Sequence, residues 1–178
     1  MERRTALKLI AGGVFVEGGP SPLVTIAQAQ PAYQLQFFSP AQNELLDRLT
    51  EMIIPADDHS PGAHQAQVSY FIDSLAARAD RNVKQRWTAG LAAVEAEAGK
   101  RFQRRFLECS TEQQDQVMAV MAANEGQPAN DLECFFGRLK SATIDGYYTS
   151  AVGIHKELQY KGNTAMAEFA GCTHPEHG

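Results

Sequence analysis

Apolar residues recur at intervals of three and four along most of the chain, which is the spacing of one face of an α-helix. The stripes lie in residues 45–53, 68–79, 83–106, 117–121 and 132–144. The second consists of Val68, Phe71, Ile72, Leu75 and Ala79, and the fifth of Leu132, Phe135, Phe136, Leu139, Thr143 and Ile144. No segment alternates strictly between apolar and polar residues, as a half-buried strand would. The pattern predicts an all-α fold, a compact bundle of about five helices.

Two serines indicate where helices begin. Ser39 and Ser110 are each followed three residues later by Gln, the spacing of a capping box. Pro40 directly follows the first of them, and proline is favoured at the first position of a helix. We therefore expect helices to start after Ser39 and after Ser110.

Single residues are the only signals for the remaining helix boundaries. Ser60 is a candidate cap with Pro61 opening the second helix, and Asn82 is a candidate cap for the third. Gly99 is a candidate break within the third helix. Beyond Gly146 glycines recur and the apolar periodicity fades. This change predicts an irregular C-terminal tail.

The N-terminal segment has the order of an export signal. Arg3 and Arg4 precede a weakly apolar stretch, and Ala27 and Ala29 form an A-x-A cleavage site. The paired arginines resemble a twin-arginine (Tat) signal. The alternative is a polar terminus in which the arginines occur by chance. The predicted organisation is a signal peptide in residues 1–29, a linker in residues 30–38 and a helical domain in residues 39–178.

Composition narrows the class of protein. The 178 residues are 44% hydrophobic and 21% charged, which is ordinary for a globular protein. Sixteen Lys and Arg against twenty-one Asp and Glu give a formal charge of −5, which argues against a nucleic-acid binder. Three cysteines are too few for a disulfide scaffold. Cys109 and Cys134 could form a bridge or stay reduced, and Cys172 is a candidate for contact with another chain.

Two groups of residues could carry chemistry of their own. Cys172, His174 and His177 have metal-ligand character, with a fourth ligand available from His59, His64, His155 or Asp57. The alternative is a solvated or partner-bound tail. Asp57, Asp58 and His59 could form an acid–base group, but turn residues between two helices would have the same composition. No dinucleotide-binding, phosphate-loop or covalent-haem motif is present in the sequence.

Three separated motifs resemble the gluconate 2-dehydrogenase subunit 3 family. They are IIPADDHSPGA at residues 53–63, LKSATIDGYYTS at residues 139–150 and GCTHPEH at residues 171–177. The resemblance implies a non-catalytic small subunit with no cofactor of its own. The implied partners are an FAD-dependent large subunit of the glucose–methanol–choline (GMC) type, a multihaem cytochrome c subunit and the Tat translocase. The implied location is the periplasm, peripheral to the inner membrane through the complex.

From this resemblance and from their lack of helical periodicity, we expect certain residues to face the partner. They are Asp57, Asp58, His59, Tyr147, Tyr148, Gly162, Asn163, Cys172, His174, Pro175 and His177. Two alternatives stay open: an escort that leaves the large subunit after export, and a stand-alone periplasmic metal-binding protein that uses Cys172, His174 and His177.

Overall fold

The computed structural model describes residues 33–162, and the regular structure within that range is entirely helical. The α-helices are α1 (Pro40–Ile53), α2 (Val68–Arg78), α3 (Arg81–Phe102), α4 (Thr111–Ala122) and α5 (Asp131–Tyr148). A 3₁₀ turn (Phe106–Glu108) precedes α4, and a π-helical turn (Gly153–Glu157) follows α5. The all-α prediction with about five helices is confirmed.

Both predicted capping boxes are present. The Ser39 hydroxyl accepts a hydrogen bond from the Gln42 amide, and the Gln42 side chain accepts one from the Ser39 amide. Ser110 and Gln113 make the same reciprocal pair at the start of α4. Each box satisfies backbone N–H groups that have no partner within the helix, and each cap stabilises the fold by about 1 kcal/mol.

The predicted start of the second helix at Ser60 and Pro61 is wrong. α2 begins at Val68, after Gln67 in the left-handed region with φ 57°. The hydroxyl of Ser60 makes no cap because it bonds to the C-terminal part of the bundle. Residues 54–67 therefore form one long loop between α1 and α2.

The predicted boundaries of the third helix are also wrong. Its cap is Asp80, whose carboxylate accepts from the Val83 amide, and Asn82 lies inside the first turn. The helix continues through Gly99 to Phe102 without a break. A glycine inside a helix costs only about 1 kcal/mol relative to alanine, which packing along a long helix readily outweighs.

α5 is the central helix of the bundle, since it contacts each of α1, α2, α3 and α4. The largest fully buried side chains around it are Leu46, Leu49, Ile72, Leu91, Phe106, Met121, Phe135, Leu139 and Tyr147. Each such side chain contributes roughly 1.5–3 kcal/mol through removal from water. Leu75 and Ile144 belong to the predicted apolar stripes but are exposed, because those stripes are wider than the faces that α2 and α5 bury.

A buried carboxylate on α2 holds the segment before α1. Asp73 accepts hydrogen bonds from the amides of Gln36 (2.7 Å), Phe37 (3.0 Å) and Phe38 (2.8 Å) and from the Tyr33 hydroxyl (2.8 Å). Burial alone would raise the pKa of Asp73, but these hydrogen bonds outweigh it and hold that pKa below its usual value. Residues 33–38, predicted as part of a linker, are therefore fixed to the bundle.

The C-terminal part of the described chain is more regular than predicted. α5 runs to Tyr148, two residues past the predicted change at Gly146, and the π-helical turn follows it. Residues 159–162 have no regular structure. None of the helices in residues 33–162 is long and apolar enough to cross a membrane.

Candidate functional site

The loop of residues 54–67 projects a tight turn from the bundle. The Asp57 carboxylate accepts from the amides of His59 and Ser60, both at 2.8 Å, and the Asp57 amide donates to the Ser60 carbonyl. Donors aimed at the ionised form lower the pKa of Asp57 below its usual value. The Asp57 side chain thus defines the shape of the turn although it is exposed.

A carboxylate of α1 fixes both sides of this loop. Glu51 accepts from the Ala56 amide through Oε1 (3.1 Å) and from the His64 amide through Oε2 (2.7 Å). Gly62 lies against the same group, and a Cβ there would stand 2.4 Å from Oε1 of Glu51 and 2.5 Å from the Ala56 amide nitrogen. The loop can close around Glu51 only because residue 62 has no side chain.

Two residues from the C-terminal part of the bundle, Tyr147 and Glu157, make hydrogen bonds to the loop. The Tyr147 hydroxyl donates to the Pro61 carbonyl (2.7 Å) and lies 2.9 Å from the Ser60 hydroxyl, which donates to Glu157 Oε2 (2.8 Å). Tyr147 is only 1% exposed. Its expected role as a residue whose side chain faces a partner is therefore wrong: the ring is in the core, and the hydroxyl is a support for the loop.

The resulting surface combines the loop with the end of α5. Asp57, Asp58 and His59 are exposed, and so is Gly162. Tyr148 is 39% exposed, and its ring packs edge-on to that of Tyr147 at 5.3 Å. Tyr148 thus lies beside the residue that holds the loop. The other expected interface residues, Asn163, Cys172, His174, Pro175 and His177, lie outside the described residues.

The sequence that forms this surface matches a known protein family. The family model described as gluconate 2-dehydrogenase subunit 3 matches residues 40–164, most of the chain. The chain belongs to the gluconate 2-dehydrogenase subunit 3 family. The matched range contains α1 to α5, the loop and its supports. No curated protein and no solved structure matches.

The structure of this subunit 3 chain favours the turn over the acid–base group that Asp57, Asp58 and His59 could also have formed. The Asp57 carboxylate bonds to backbone amides, and no hydrogen bond in the described chain joins it to the His59 imidazole. A carboxylate–imidazole pair forms instead between Asp47 Oδ2 and His64 Nδ1, at 2.5 Å, with the Ser69 hydroxyl donating to Oδ1. This pair orients an exposed imidazole, which ties the second half of the loop to α1.

The candidate metal ligands are not assembled in the part of the subunit 3 chain that the structure describes. No group of three His, Cys, Asp or Glu residues within residues 33–162 is arranged to hold a metal ion. His59 and His155 are exposed on separate elements, and His64 is engaged by Asp47. The cluster of Cys172, His174 and His177 lies outside the described residues.

The two described cysteines have different environments. Both are free thiols, so the considered bridge between Cys109 and Cys134 is not formed. Cys109 is buried and donates to the Arg105 carbonyl, and burial raises the pKa of its thiol. Cys134 is exposed on α5. Cys172 lies outside the described residues.

Sequence reasoning missed Glu51 and Glu157 as supports of the loop and assigned Tyr147 to the partner interface instead. Glu51, Tyr147 and Glu157 meet the loop from α1, α5 and the π-helical turn, which are far apart in the chain. The one available signal was Gly62 after Pro61 in a long polar loop, since a glycine there indicates a close approach to other atoms. Nothing in the sequence indicates that the approaching group is Glu51.

Proposed function

We propose that this chain is the non-catalytic small subunit of a periplasmic, membrane-associated, flavin-dependent sugar or gluconate dehydrogenase. In this proposal the GMC-type large subunit carries FAD, and a multihaem cytochrome c subunit accepts the electrons. Residues 1–29 direct Tat-dependent export of the folded pair. The observation that carries the proposal is the family match over residues 40–164.

The loop surface of residues 55–59 and Tyr148 is the proposed contact with the large subunit. Its backbone is fixed before any partner arrives, through Asp57 within the turn, Glu51 on α1 and Tyr147 on α5. A fixed loop loses little conformational entropy on binding, so more of the contact energy remains as affinity. The exposed side chains of Asp58 and His59 then select the partner through charge and hydrogen bonding.

Co-purification tests the subunit proposal. The tagged chain is isolated without reductant from the periplasm of the cells that produce it, and the eluate is examined by absorbance, by protein mass and for acceptor-dependent oxidation of gluconate. We expect a flavoprotein in one-to-one ratio with this chain. The double variant Asp58→Ala/His59→Ala should recover less flavin, whereas Asp115→Ala, an exposed acidic residue on α4, should recover as much as the native chain.

Two results would contradict the stable-subunit proposal, and a third would contradict the assignment of the contact to the loop surface. A chain that elutes alone at native expression levels refutes a stable subunit. A flavoprotein present in the cytoplasmic but not the periplasmic eluate supports the transient escort instead. Equal flavin recovery by the loop variant and the Asp115→Ala control would place the contact on another surface.

Export is tested separately through the paired arginines. Replacing Arg3 and Arg4 by Lys preserves the charge but removes the guanidinium pair that the Tat receptor would read. The variant chain and the flavoprotein should then both remain in the cytoplasm. Unchanged periplasmic amounts of both would contradict Tat-dependent co-export without affecting the subunit proposal.

A further inference from the structure

A groove of about 540 Å³ lies between α3 and α5, away from the loop surface. Gly90 and Phe135 form its base, because the Phe135 ring packs directly on the α3 backbone: a Cβ at residue 90 would be 2.0 Å from a ring carbon. Ala89 and Ala93 continue the small surface along α3. The groove follows α3 from Asn82 to Ala93, roughly 16 Å at the rise of an α-helix.

Two arginines line the groove from its opposite helices, Arg86 on α3 and Arg138 on α5. Within residues 33–162, neither guanidinium group makes an ion pair with a carboxylate. Partial burial of Arg138, together with the like charge of Arg86, lowers the pKa of Arg138. The two cations therefore line one groove, and neither has an ion-pair partner within residues 33–162.

The charge of the groove contrasts with that of the protein. Asp131 also lines it, so the lining carries two positive charges and one negative charge, while the whole chain has a formal charge of −5. Asp131 makes no ion pair in the part of the chain described, so neither guanidinium group is engaged by it directly. A carboxylate placed between the guanidinium groups would relieve their repulsion and could accept paired hydrogen bonds from each.

We propose that the groove between α3 and α5 binds an acidic segment of another polypeptide, with an Asp or Glu carboxylate held between Arg86 and Arg138. The dimensions favour a segment over a free ion, because about 540 Å³ is in the range of sites for molecules much larger than a small anion. The small side chains of Ala89 and Ala93 let a peptide backbone approach α3 closely on either side of the Phe135 ring. The proposal stands independently of the loop surface, since it concerns different residues and is tested on the purified chain alone.

The test uses a peptide of about six residues that alternates Glu and Ala, long enough in extended form to span the groove. The peptide carries an uncharged fluorophore, and its binding to the full chain is followed by anisotropy. We expect binding that weakens when NaCl is raised from about 20 mM to about 200 mM. The variant Arg86→Gln/Arg138→Gln should bind at least about tenfold more weakly. The control Lys100→Gln/Arg104→Gln removes two exposed cations near the other end of α3 and should bind as the native chain does.

Cys134 reports where the peptide binds, because it is exposed and lines the groove. In a Cys172→Ser background, peptide at saturation should slow alkylation of Cys134 by a neutral maleimide, with the buried Cys109 as the internal reference.

The proposal is overturned if the Gln–Ala peptide binds as tightly as the Glu–Ala peptide, or if both double variants lose the same affinity. Binding that leaves Cys134 alkylation unchanged refutes the groove as the site. Free glutarate that competes at the same concentration as the peptide indicates a site for small carboxylates and refutes the polypeptide segment. Peptide binding that appears only after residues 163–178 are removed would identify this chain's own tail as the occupant, which also overturns the proposal.

Discussion

Replacing Asp73 by Asn should destabilise the bundle by about 3 kcal/mol. The amide keeps Oδ1, which accepts from Phe37 and Phe38, but puts an NH₂ group where Oδ2 accepts from the Gln36 amide and the Tyr33 hydroxyl. The hydroxyl can rotate and accept, whereas the Gln36 N–H loses its partner at a cost of about 1–3 kcal/mol. The remaining bonds lose their charge assistance, which adds about as much again.

Trp87 provides the assay, since it is the single tryptophan, is buried, and packs edge-on to Phe38 at 6.2 Å. Urea unfolding followed by its fluorescence gives the free energy of unfolding for each variant. For a domain of this size, about 3 kcal/mol corresponds to a fall in Tm of about 10 °C. The control Asp115→Asn makes the same chemical change at an exposed site and should lie within about 0.5 kcal/mol of the native chain. If Asp73→Asn lies within that same margin, the four hydrogen bonds do not hold residues 33–38 as argued.

Stability in acid gives a second test, because the lowered pKa of Asp73 means that its carboxylate stabilises the fold fully above its unfolded-state pKa of about 4 and loses that contribution as the pH falls through the folded-state pKa. The difference in unfolding free energy between the native chain and Asp73→Asn should therefore stay constant between about pH 7 and pH 5 and narrow below about pH 4. Tyr147→Phe should lower the free energy of unfolding in urea by about 1–3 kcal/mol, because the Pro61 carbonyl loses a buried donor. Gly90→Ala should lower it by about 1–3 kcal/mol, because its Cβ overlaps the Phe135 ring.

Two control variants make the same chemical changes at other positions where the structure predicts little loss of stability. Tyr148→Phe removes a hydroxyl from the neighbouring, partly exposed tyrosine and should change stability little. Gly99→Ala adds a Cβ to the same helix as Gly90, where nothing lies within 4 Å, and should stabilise by up to about 1 kcal/mol. If Gly90→Ala also stabilises the fold, the Phe135 ring of α5 does not pack against the α3 backbone at residue 90 as described. If the difference in unfolding free energy between the native chain and Asp73→Asn does not change below about pH 4, the pKa of Asp73 is not lowered as described.

Local chemistry explains which parts of the fold were predictable. The caps at Ser39 and Ser110 depend on hydrogen bonds between residues three apart, so the local sequence alone is enough to predict them. The cap of α3 was missed because Asp80 and Asn82 are both good caps and stand two residues apart.

The supports of the loop depend on contacts that are distant in the chain. Tyr147 is 86 residues from the carbonyl it holds, and Asp73 is 35 to 40 residues from its donors. An acidic residue between Ile72 and Leu75 in an apolar stripe is a sign of a buried partner, but the sequence does not indicate which donors will reach it. The fading periodicity after Gly146 and the family-like motif around Tyr147 both predict a partner-facing residue, whereas α5 continues through Tyr148 and buries the Tyr147 ring.

The contact between Tyr147 and the Pro61 carbonyl has a consequence for the order of events during synthesis. A chain leaving the ribosome completes α1, the loop and α2 long before residue 147 is made, so the loop at that stage lacks the hydroxyl that holds it. Glu157, which holds Ser60, is added later still. The surface proposed for the large subunit therefore reaches its final form only after translation has passed residue 157, and an incomplete chain cannot present it.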